Sequence, residues 1–322
     1  MSKKRIVIGS RGSKLAMTQS QWVKTRLEEL NPSLEITIQR IITKGDKITD
    51  VALSRIGGKG LFTKELEVAL QDGRIDLAVH SLKDLPTELP EGLIIGAVPE
   101  REDPHDLLIS KNNSSTLSHL PKGSKLGTSS LRRQAQILSL RPDLELVDLR
   151  GNLDTRFRKL ETTDLDGIIV AKAGVMRLGA FREDFSIIPF DEVLPAVGQG
   201  ALGIESRKDD EEILAILASI DHPSTRHAVE AERTLMFVLE GGCQVPIGAI
   251  GHCTSNGTLE LEAIVCSLNG SKVIKNRHSG PPETAREIGQ TLAHRLLDMG
   301  AREVLKEIRE ALGEEEIGHN GN

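Results

Sequence analysis

Apolar and polar residues follow one another along the first part of the chain in an order that predicts strands and helices in turn. Apolar runs at residues 5–10, 34–42 and 75–81 are typical of strands, and apolar residues recur at near-helical spacing over 13–30 and 63–72. Alternating strands and helices build an α/β sheet with parallel strands. The sequence therefore predicts a first α/β lobe with a parallel sheet.

The same alternation begins again in the middle of the chain. Strands are predicted over residues 125–129, 144–149 and 167–172, with helices over 130–141 and 152–161. In both lobes a strand runs into a Gly-Ser or Gly-Thr turn, and a helix follows with arginine close by. Such turns are common in α/β proteins, but two of them at one cleft would direct the N-termini of two helices at a shared anion.

The last part of the chain has a different pattern. A long helix is predicted over residues 222–240, and strand-like runs after it are separated by the turn signals Asn256-Gly257 and Asn269-Gly270. A final helix is predicted to begin at Pro281 and to continue without a break to residue 312. These elements predict a third, smaller α/β domain with an antiparallel sheet.

The predicted domain limits follow from this order of elements. Residues 100–199 are assigned to the second lobe and 220–322 to the third domain. The strand and helix at 200–219 are expected to return to the first lobe, which otherwise spans residues 1–99.

Composition narrows the classes of function. The chain has 322 residues, of which 38% are hydrophobic and 27% charged, as in a soluble globular protein. The first apolar run ends at Gly9, and no run approaches the roughly 20 residues that span a membrane. We therefore expect a cytoplasmic protein. The three cysteines, at positions 243, 253 and 266, lack the spacing of a disulfide scaffold or a zinc site, so no metal is expected.

Charge is distributed unevenly along the chain. Residues 1–200 hold 29 basic and 27 acidic side chains, a net charge of +2, whereas residues 201–322 hold 12 and 20, a net charge of −8. An acidic chain with one Trp, no Tyr and six Phe is a poor nucleic-acid binder. A small polyanion held in a local basic pocket fits this distribution better.

Two glycine-rich strings invite a nucleotide-binding interpretation that their context does not support. Residues 198–203 match the GxGxxG pattern, but the string continues as a strand where a dinucleotide site requires a helix. Residues 57–60, Gly-Gly-Lys-Gly, lack the spacing of a phosphate-binding loop. They indicate a cationic lid, although a plain surface loop fits the local sequence equally well.

Charged residues mark the predicted cleft. Asp84 follows the strand that ends in His80-Ser81, at the edge where open α/β sheets bind ligands. Among neighbouring cations Asp84 is expected to be the only carboxylate, able to stabilise positive charge or move a proton. Arg132 and Arg133 lie at a predicted helix start, where cations need a compensating anion.

Cys243 lies between two glycines and Gln-Val-Pro. The glycines permit unusual backbone angles and the close approach of a bulky group. A functional thiol and an incidental buried cysteine remain equally open on local sequence, because reactivity depends on surroundings that the sequence does not show.

The ordered motifs together resemble the hydroxymethylbilane synthase (porphobilinogen deaminase) family over nearly the whole chain. The motifs that carry the resemblance are RGSKLAMTQS (11–20), GGKGLFTKELE (57–67), DLAVHSLKDLP (76–86), REDP (101–104), LGTSSLRRQAQ (126–136), LRGNLDTR (149–156), AKAG (171–174), LPAVGQGALGIE (194–205) and GGCQVPIGA (241–249). One departure is His105, where relatives often have arginine.

The resemblance implies two lobes like those of type II periplasmic binding proteins, with hinge motion between them, and a third domain that presents Cys243. In this family the matching cysteine holds a dipyrromethane cofactor through a thioether. Four porphobilinogen molecules are joined to the cofactor in turn, each with loss of ammonia, and hydroxymethylbilane is released by hydrolysis. A monomer that binds neither nucleic acid nor membrane is expected.

The resemblance also implies roles for individual residues. Asp84 is expected to be the catalytic carboxylate, and Lys59 and Phe62 to belong to a lid. The residues expected to hold the cofactor are Ser81, Lys83, Thr128, Ser129, Arg132, Arg133 and Arg156. Those expected to hold the incoming substrate are Arg11, Ser13, Gln19, Arg150, Arg156 and Arg177.

Two other classes of protein stay open. A two-lobed protein that binds an anionic ligand without catalysis would explain the lobes and the cations, but it gives Cys243 no purpose. A group-transfer enzyme with Cys243 as a transient nucleophile would need a general base, and His252 is the histidine closest in sequence.

Overall fold

The computed structural model describes residues 4–47, 60–111, 116–239 and 245–312. The strands within these ranges are β1 (Lys4–Ser10), β2 (Leu34–Arg40), β3 (Leu77–Ser81), β4 (Leu93–Ala97), β5 (Asp106–Ser110), β6 (Lys125–Gly127), β7 (Glu145–Val147), β8 (Gly167–Ala171), β9 (Ser186–Ile188), β10 (Leu202–Arg207), β11 (Ile247–Cys253), β12 (Leu259–Cys266) and β13 (Val273–Gly280). The helices are α1 (Lys14–Leu30), α2 (Lys44–Lys47), α3 (Lys64–Gln71), α4 (Leu131–Leu140), α5 (Leu153–Thr162), α6 (Lys172–Arg177), α7 (Glu211–Leu217), α8 (Pro223–Val238), α9 (Ala285–Leu296) and α10 (Arg302–Leu312).

The first lobe is built on a sheet with the strand order β2-β1-β3-β10-β4. Helix α1 begins directly after Ser13, because the Ser13 hydroxyl oxygen accepts a hydrogen bond from the backbone N–H of Ala16 at 3.3 Å. Its apolar face buries Val23 and Leu27 against Ile8 and its neighbours in the sheet. The helix therefore starts at the edge of the sheet where β1 ends.

The second lobe repeats this arrangement with the strand order β7-β6-β8-β5-β9. The prediction of parallel sheets is wrong for one strand in each lobe, since β10 is antiparallel to β3 and β4, and β5 is antiparallel to β8 and β9. Each of these strands follows a crossover from the other lobe. Leu202 pairs with Ser81 and Asp106 with Ala171, so both strands begin at the edge where their parallel neighbours end.

The third domain is an antiparallel sheet, β11-β12-β13, covered by α8, α9 and α10. Gly257 and Gly270 occupy the two turns with φ of +77° and +71°, a region that glycine adopts without strain. Leu235, Leu261 and Leu292 bring α8, β12 and α9 into one core. Two α/β lobes with a shared topology and this third domain confirm the predicted fold class, whereas the exact domain limits stay a prediction.

The final helix is not continuous, contrary to the sequence-based expectation. A single turn at residues 282–284 precedes α9, and a wide turn at 297–301 separates α9 from α10. Gly300 in this turn has φ of +107°, which breaks the helix. The helical spacing of apolar residues on both sides hid this break, because the turn keeps both helices against the same core.

Two chain segments cross between the lobes side by side. The backbone N–H of Glu102 donates to the carbonyl oxygen of Gly200 at 3.2 Å. A Cβ on Gly200 would overlap the carbonyl oxygen of Glu102, and its φ is +87°, so only glycine fits there. Strand β10 begins at Leu202, so the 198–203 string continues directly as a strand, as its context predicted.

Glu232 on α8 joins the third domain to both crossing segments. Its fully buried carboxylate accepts hydrogen bonds from Arg101 Nη1 at 2.6 Å, from the backbone N–H of Gly198 at 2.7 Å and from that of Gly251 at 2.8 Å. These donors come from the first crossing segment, the second crossing segment and β11. One buried carboxylate therefore fixes the third domain against the region between the lobes.

We expect Glu232→Ala to lower the free energy of unfolding by about 3 kcal/mol or more, because Arg101 would lose its buried partner. The matched control is Glu230→Ala on the same helix, which removes an ion pair with the exposed Arg286 and should cost about 1 kcal/mol or less. Urea unfolding of both variants checks this. Equal midpoints would show that Glu232 does not hold the domains together.

Candidate active site

A cavity lies in the first lobe where β1 and β3 end. Its polar lining comes from the turn before α1, the start of α3 and the end of β3. The predicted site residues that line it are Arg11, Ser13, Gln19, Phe62, Ser81 and Asp84. His80 and Thr63, for which the sequence indicated no role, line it as well. The structure thus brings most of the predicted first-lobe residues to one cavity.

Arg11 is held at one side of the cavity by two contacts. Its Nη2 lies 2.7 Å from Oδ1 of Asp46, and its guanidinium lies 4.0 Å from the centroid of the Phe62 ring. Burial raises the pKa of Asp46, but the hydrogen bond and charge of Arg11 outweigh this and lower it. Phe62, predicted to belong to a lid, thus lies against a predicted substrate-binding residue.

Polar side chains on α1 and β3 meet across the cavity. Gln19 is almost fully buried on α1, and its Nε2 donates to the Ser81 hydroxyl oxygen at 2.9 Å. Behind them, Nε2 of the buried His80 lies 2.9 Å from Oε2 of Glu205, which is fully buried on β10. The sequence did not indicate the His80–Glu205 pair, because the two residues are 125 positions apart. These contacts fix the end of β3 and therefore the turn that carries Asp84.

Asp84 and Lys83 lie in a single 3-10 turn at residues 82–84, directly after β3. Asp84 is exposed to the cavity, whereas Lys83 is half-buried and its Nζ donates to Oε1 of Gln199 at 3.4 Å. The pKa of Lys83 is lowered to about 8, chiefly by burial. The charges of Arg133 and Arg132 act in the same direction, and those of Asp84 and Asp106 oppose it.

Arg132 and Arg133 are buried at the start of α4 and share one carboxylate. Arg132 Nη1 lies 2.9 Å from Oδ2 of Asp106, and Arg133 Nη2 lies 2.7 Å from Oδ1. The two guanidinium charges hold the pKa of Asp106 well below its usual range despite its burial. The expectation that Asp84 is the only carboxylate among these cations is therefore wrong, since the first residue of β5 supplies a second one.

Gln199 connects this arginine pair to Lys83. Its Nε2 donates to Oδ1 of Asp106 at 2.8 Å, while its Oε1 accepts from Lys83. Gln199 comes from the second crossing segment, so the network joins the two lobes. The sequence did not indicate a role for Asp106 or Gln199, although Gln199 lies within the motif at 194–205 and Asp106 follows the motif at 101–104 by two residues.

The other second-lobe residues predicted to bind ligand surround this network. Arg156 and Arg177 are half-buried, and burial lowers the pKa of each to about 10. Arg156 Nε donates to the carbonyl oxygen of Gly151 at 3.0 Å, and Arg177 Nη2 to that of Gly200 at 2.7 Å. The charge of Arg133 also contributes to the lowered pKa of Arg156.

The remaining predicted residues have modest local roles in the structure. Ser129 Oγ donates to the carbonyl oxygen of Leu149 at 3.0 Å, and Thr128 is fully buried. Arg150 is half-buried in the turn before α5. The departure at His105 places its ring 3.8 Å from the Phe190 ring, with Nδ1 2.5 Å from Asp103.

Two family models match the chain. The model described as "Porphobilinogen deaminase, dipyromethane cofactor binding domain" matches residues 6–215, and the model described as "Porphobilinogen deaminase, C-terminal domain" matches residues 227–298. The first match alone covers more than half of the 322 residues. The chain belongs to the porphobilinogen deaminase family. Its N-terminal two thirds therefore form a dipyrromethane-binding domain.

Curated relatives agree with this assignment. The chain is 53% identical over 307 residues to porphobilinogen deaminase from Desulforamulus reducens, covering 95% of this chain and 99% of that one. It is 49% identical over 319 residues to the enzyme of the same name from Geotalea uraniireducens, covering 98% of this chain and 99% of that one. The similarity thus extends over nearly the full length of both relatives.

The similarity to solved structures is much weaker than the similarity to these curated relatives. A probable amino-acid transporter extracellular-binding protein from Bacillus subtilis is 13% identical, with a TM-score of 0.42 over 68% of this chain and 90% of that chain. A periplasmic binding protein from Salmonella typhimurium is 16% identical, with a TM-score of 0.38 over 67% and 92%. TM-scores this low carry no argument about function.

Two residues for which the sequence predicted a role, Cys243 and Lys59, lie outside the described residues. Gly57 and Gly58 of the 57–60 string lie outside them as well. The described cysteines, Cys253 on β11 and Cys266 on β12, are free thiols. Burial raises the pKa of both, to about 12 for Cys266, and neither is thereby suited to act as a thiolate.

The described residues contain neither a membrane-spanning helix nor a cluster of metal ligands. No helix in the described ranges combines the length and the apolar character that crossing a membrane requires. Among these residues no three His, Cys, Asp or Glu side chains gather as they would around a metal ion.

The cations behind Asp84 have the donor chemistry that a dipyrromethane requires. Nε of Arg132 and Nε of Arg133 are buried and have no hydrogen-bond partner among the described residues. Lys83 and Arg156 add positive charge that Asp106 alone does not balance. Carboxylates pair with forked guanidinium groups through two hydrogen bonds at once, so the acetate and propionate groups of a dipyrromethane fit this set of residues.

We expect Lys83 to titrate near pH 8 in cofactor-free protein, because burial disfavours its charged form. Competitive acetylation of the folded Cys243→Ser variant across pH, followed by peptide mass spectrometry, measures this value. Exposed Lys14 serves as the control for how readily a solvent-accessible amine is acetylated. A Lys83 that titrates at the value of about 10.4 that is ordinary for free lysine would contradict the burial argument.

Proposed function

We propose that this protein is a hydroxymethylbilane synthase, which joins four porphobilinogen molecules with loss of ammonia and releases hydroxymethylbilane. The family assignment supports the reaction class, a group transfer in tetrapyrrole biosynthesis. The observation that carries the proposal is structural: an exposed carboxylate, Asp84, faces a cavity and has buried, incompletely paired arginines behind it. A pyrrole with two carboxylates and a cationic leaving group needs both features.

The cofactor is proposed to be attached to Cys243 through a thioether, and when bound it supplies the pyrrole end to which substrate is joined. The raised pKa values of Cys253 and Cys266 disfavour both of the described thiols as the attachment point. Lys83, Arg132, Arg133 and Arg156, with the hydroxyls of Ser81, Thr128 and Ser129 nearby, are proposed to hold its carboxylates.

Asp84 is proposed to act on the reacting pyrroles. A carboxylate accepts hydrogen bonds from pyrrole N–H groups, and its negative charge stabilises the cation that develops on the substrate ring as ammonia leaves. The 3-10 turn and the contacts of Ser81 and His80 fix the Asp84 carboxylate at the cavity. Positioning of this kind removes the cost of arranging the charge during the reaction.

Substrate carboxylates are proposed to be held by Arg11, Ser13, Gln19, Arg150, Arg156 and Arg177. Arg11 is already oriented by Asp46 and Phe62 at the cavity wall, so little side-chain freedom is lost when a carboxylate binds. Lys59 and Phe62 are proposed to cover the cavity. Arg177 touches the crossing segment at Gly200, which couples substrate binding to the region between the lobes.

The proposal includes a monomer in the cytoplasm. The free thiols of Cys253 and Cys266 are typical of a reducing compartment. A two-lobed anion-binding protein without catalysis remains the second candidate, favoured by the arginine network alone, and release of ammonia from porphobilinogen separates the two.

We expect Cys243→Ser to lose the covalent cofactor, because a hydroxyl does not replace the thiol as the attachment point. Intact mass under denaturing conditions should show the wild type heavier than its sequence by two linked pyrrole units, and the variant unmodified. Cys253→Ser and Cys266→Ala are the matched controls and should keep the added mass. A modified Cys243→Ser chain would place the attachment elsewhere.

We expect Asp84→Asn to keep the cofactor but to lower kcat by about a hundredfold or more, because the amide carries no charge and moves no proton. The rate of ammonia release from porphobilinogen measures kcat. Asp72→Asn, in an exposed surface pair with Arg74 on the same lobe, should leave kcat unchanged. Near-normal turnover by the Asp84 variant would remove Asp84 from the catalytic role.

A further inference from the structure

Arg40 lies at the edge of the sheet that carries the cavity, although neither the sequence analysis nor the proposed mechanism uses it. It is the last residue of β2 and pairs in register with Ser10, the last residue of β1. The next residues after Ser10 are Arg11, Gly12 and Ser13, and both Arg11 and Ser13 line the cavity. Arg40 therefore ends beside the turn that forms one wall of the site.

The Arg40 side chain packs against Gly12. A Cβ on Gly12 would overlap Nε and Nη2 of Arg40, so the guanidinium packs directly on the glycine backbone. Gly12 does not have a positive φ, so the close approach of the guanidinium, and not the backbone angle of the turn, favours glycine here. Because Gly12 has no side chain, it leaves room for the Arg40 guanidinium against its backbone.

The position of Arg40 is electrostatically unfavourable for a cation. Gly12 directly precedes the N-cap of α1, a 17-residue helix whose N-terminus carries partial positive charge. Asp46, the nearby carboxylate, is paired with Arg11 at 2.7 Å. Over the described ranges the Arg40 side chain forms no ion pair and no hydrogen bond with another residue, and it is exposed. An anion bound between Arg11 and Arg40 would relieve this repulsion.

We propose that Arg40, placed by Gly12, is a further substrate-binding residue that receives a carboxylate of incoming porphobilinogen beside Arg11 and Ser13. This inference rests on the proposed function and adds one residue to its substrate site. A substrate with an acetate and a propionate has two carboxylates to bind, and Arg11 shares its charge with Asp46. Arg40 supplies an unshared guanidinium against Gly12, in the turn that carries both Arg11 and Ser13.

The test compares Arg40→Ala with wild type in steady-state kinetics of ammonia release. We expect KM for porphobilinogen to rise about tenfold with kcat unchanged, because the lost hydrogen bonds to a charged group act equally on bound substrate and transition state. Arg5→Ala is the matched control. It removes an exposed arginine at the opposite end of β1 and should leave KM unchanged.

A double-mutant cycle with Gly12→Ala tests the placement. Gly12→Ala alone should raise KM as Arg40→Ala does, because the new methyl group displaces the guanidinium. In the Arg40→Ala background Gly12→Ala should raise KM little further, since the arginine side chain that it would displace is absent. Equal effects of Gly12→Ala in both backgrounds would show that Gly12 does not act through Arg40.

The outcomes separate this inference from the proposed function. A wild type that releases no ammonia contradicts the proposed function and this inference with it. An active wild type together with an unchanged KM in Arg40→Ala overturns only the role of Arg40. Loss of the cofactor mass in Arg40→Ala, or an equal rise of KM in Arg5→Ala, would also overturn it, because the effect would then arise from cofactor assembly or from overall charge.

Discussion

The structure depends on how positive charge is compensated when it is buried. Arg132 and Arg133 lie at the start of α4, away from water, and one carboxylate, Asp106, lies within 2.9 Å of both. Removing Asp106 would leave the charges of the two arginines uncompensated in the interior, which is strongly unfavourable. Asp106 therefore makes the cation cluster possible, while the two buried Nε atoms have no hydrogen-bond partner among the described residues.

The crossing segments between the lobes are where these charges meet. Gln199 joins Lys83 of the first lobe to Asp106 of the second, and Glu232 joins Arg101 to the third domain. Residues from all three parts of the chain thus share two small polar networks. A change in the relative position of the lobes would alter the environment of Lys83, and with it the side chain next to the proposed catalytic Asp84.

Much of the fold and part of the site could be predicted from local sequence. The spacing of apolar residues predicted most helices and strands, and the ordered motifs indicated the family that the comparisons then established. The reversed strands β5 and β10 and the break at Gly300 were not predicted, because local patterns do not encode strand direction and both sides of the break face one core.

By itself the sequence determined which chemical groups the protein has: the arginines, Asp84 shortly after a strand, and a cysteine that follows two glycines. Only the tertiary structure decided which of these groups are paired. Asp106 and Arg133 are 27 residues apart, and His80 and Glu205 are 125 apart. Arg40 and Gly12 meet only because β1 and β2 end at the same edge. Charges compensate each other only when they lie within a few ångströms in space, and their separation along the chain does not determine that distance.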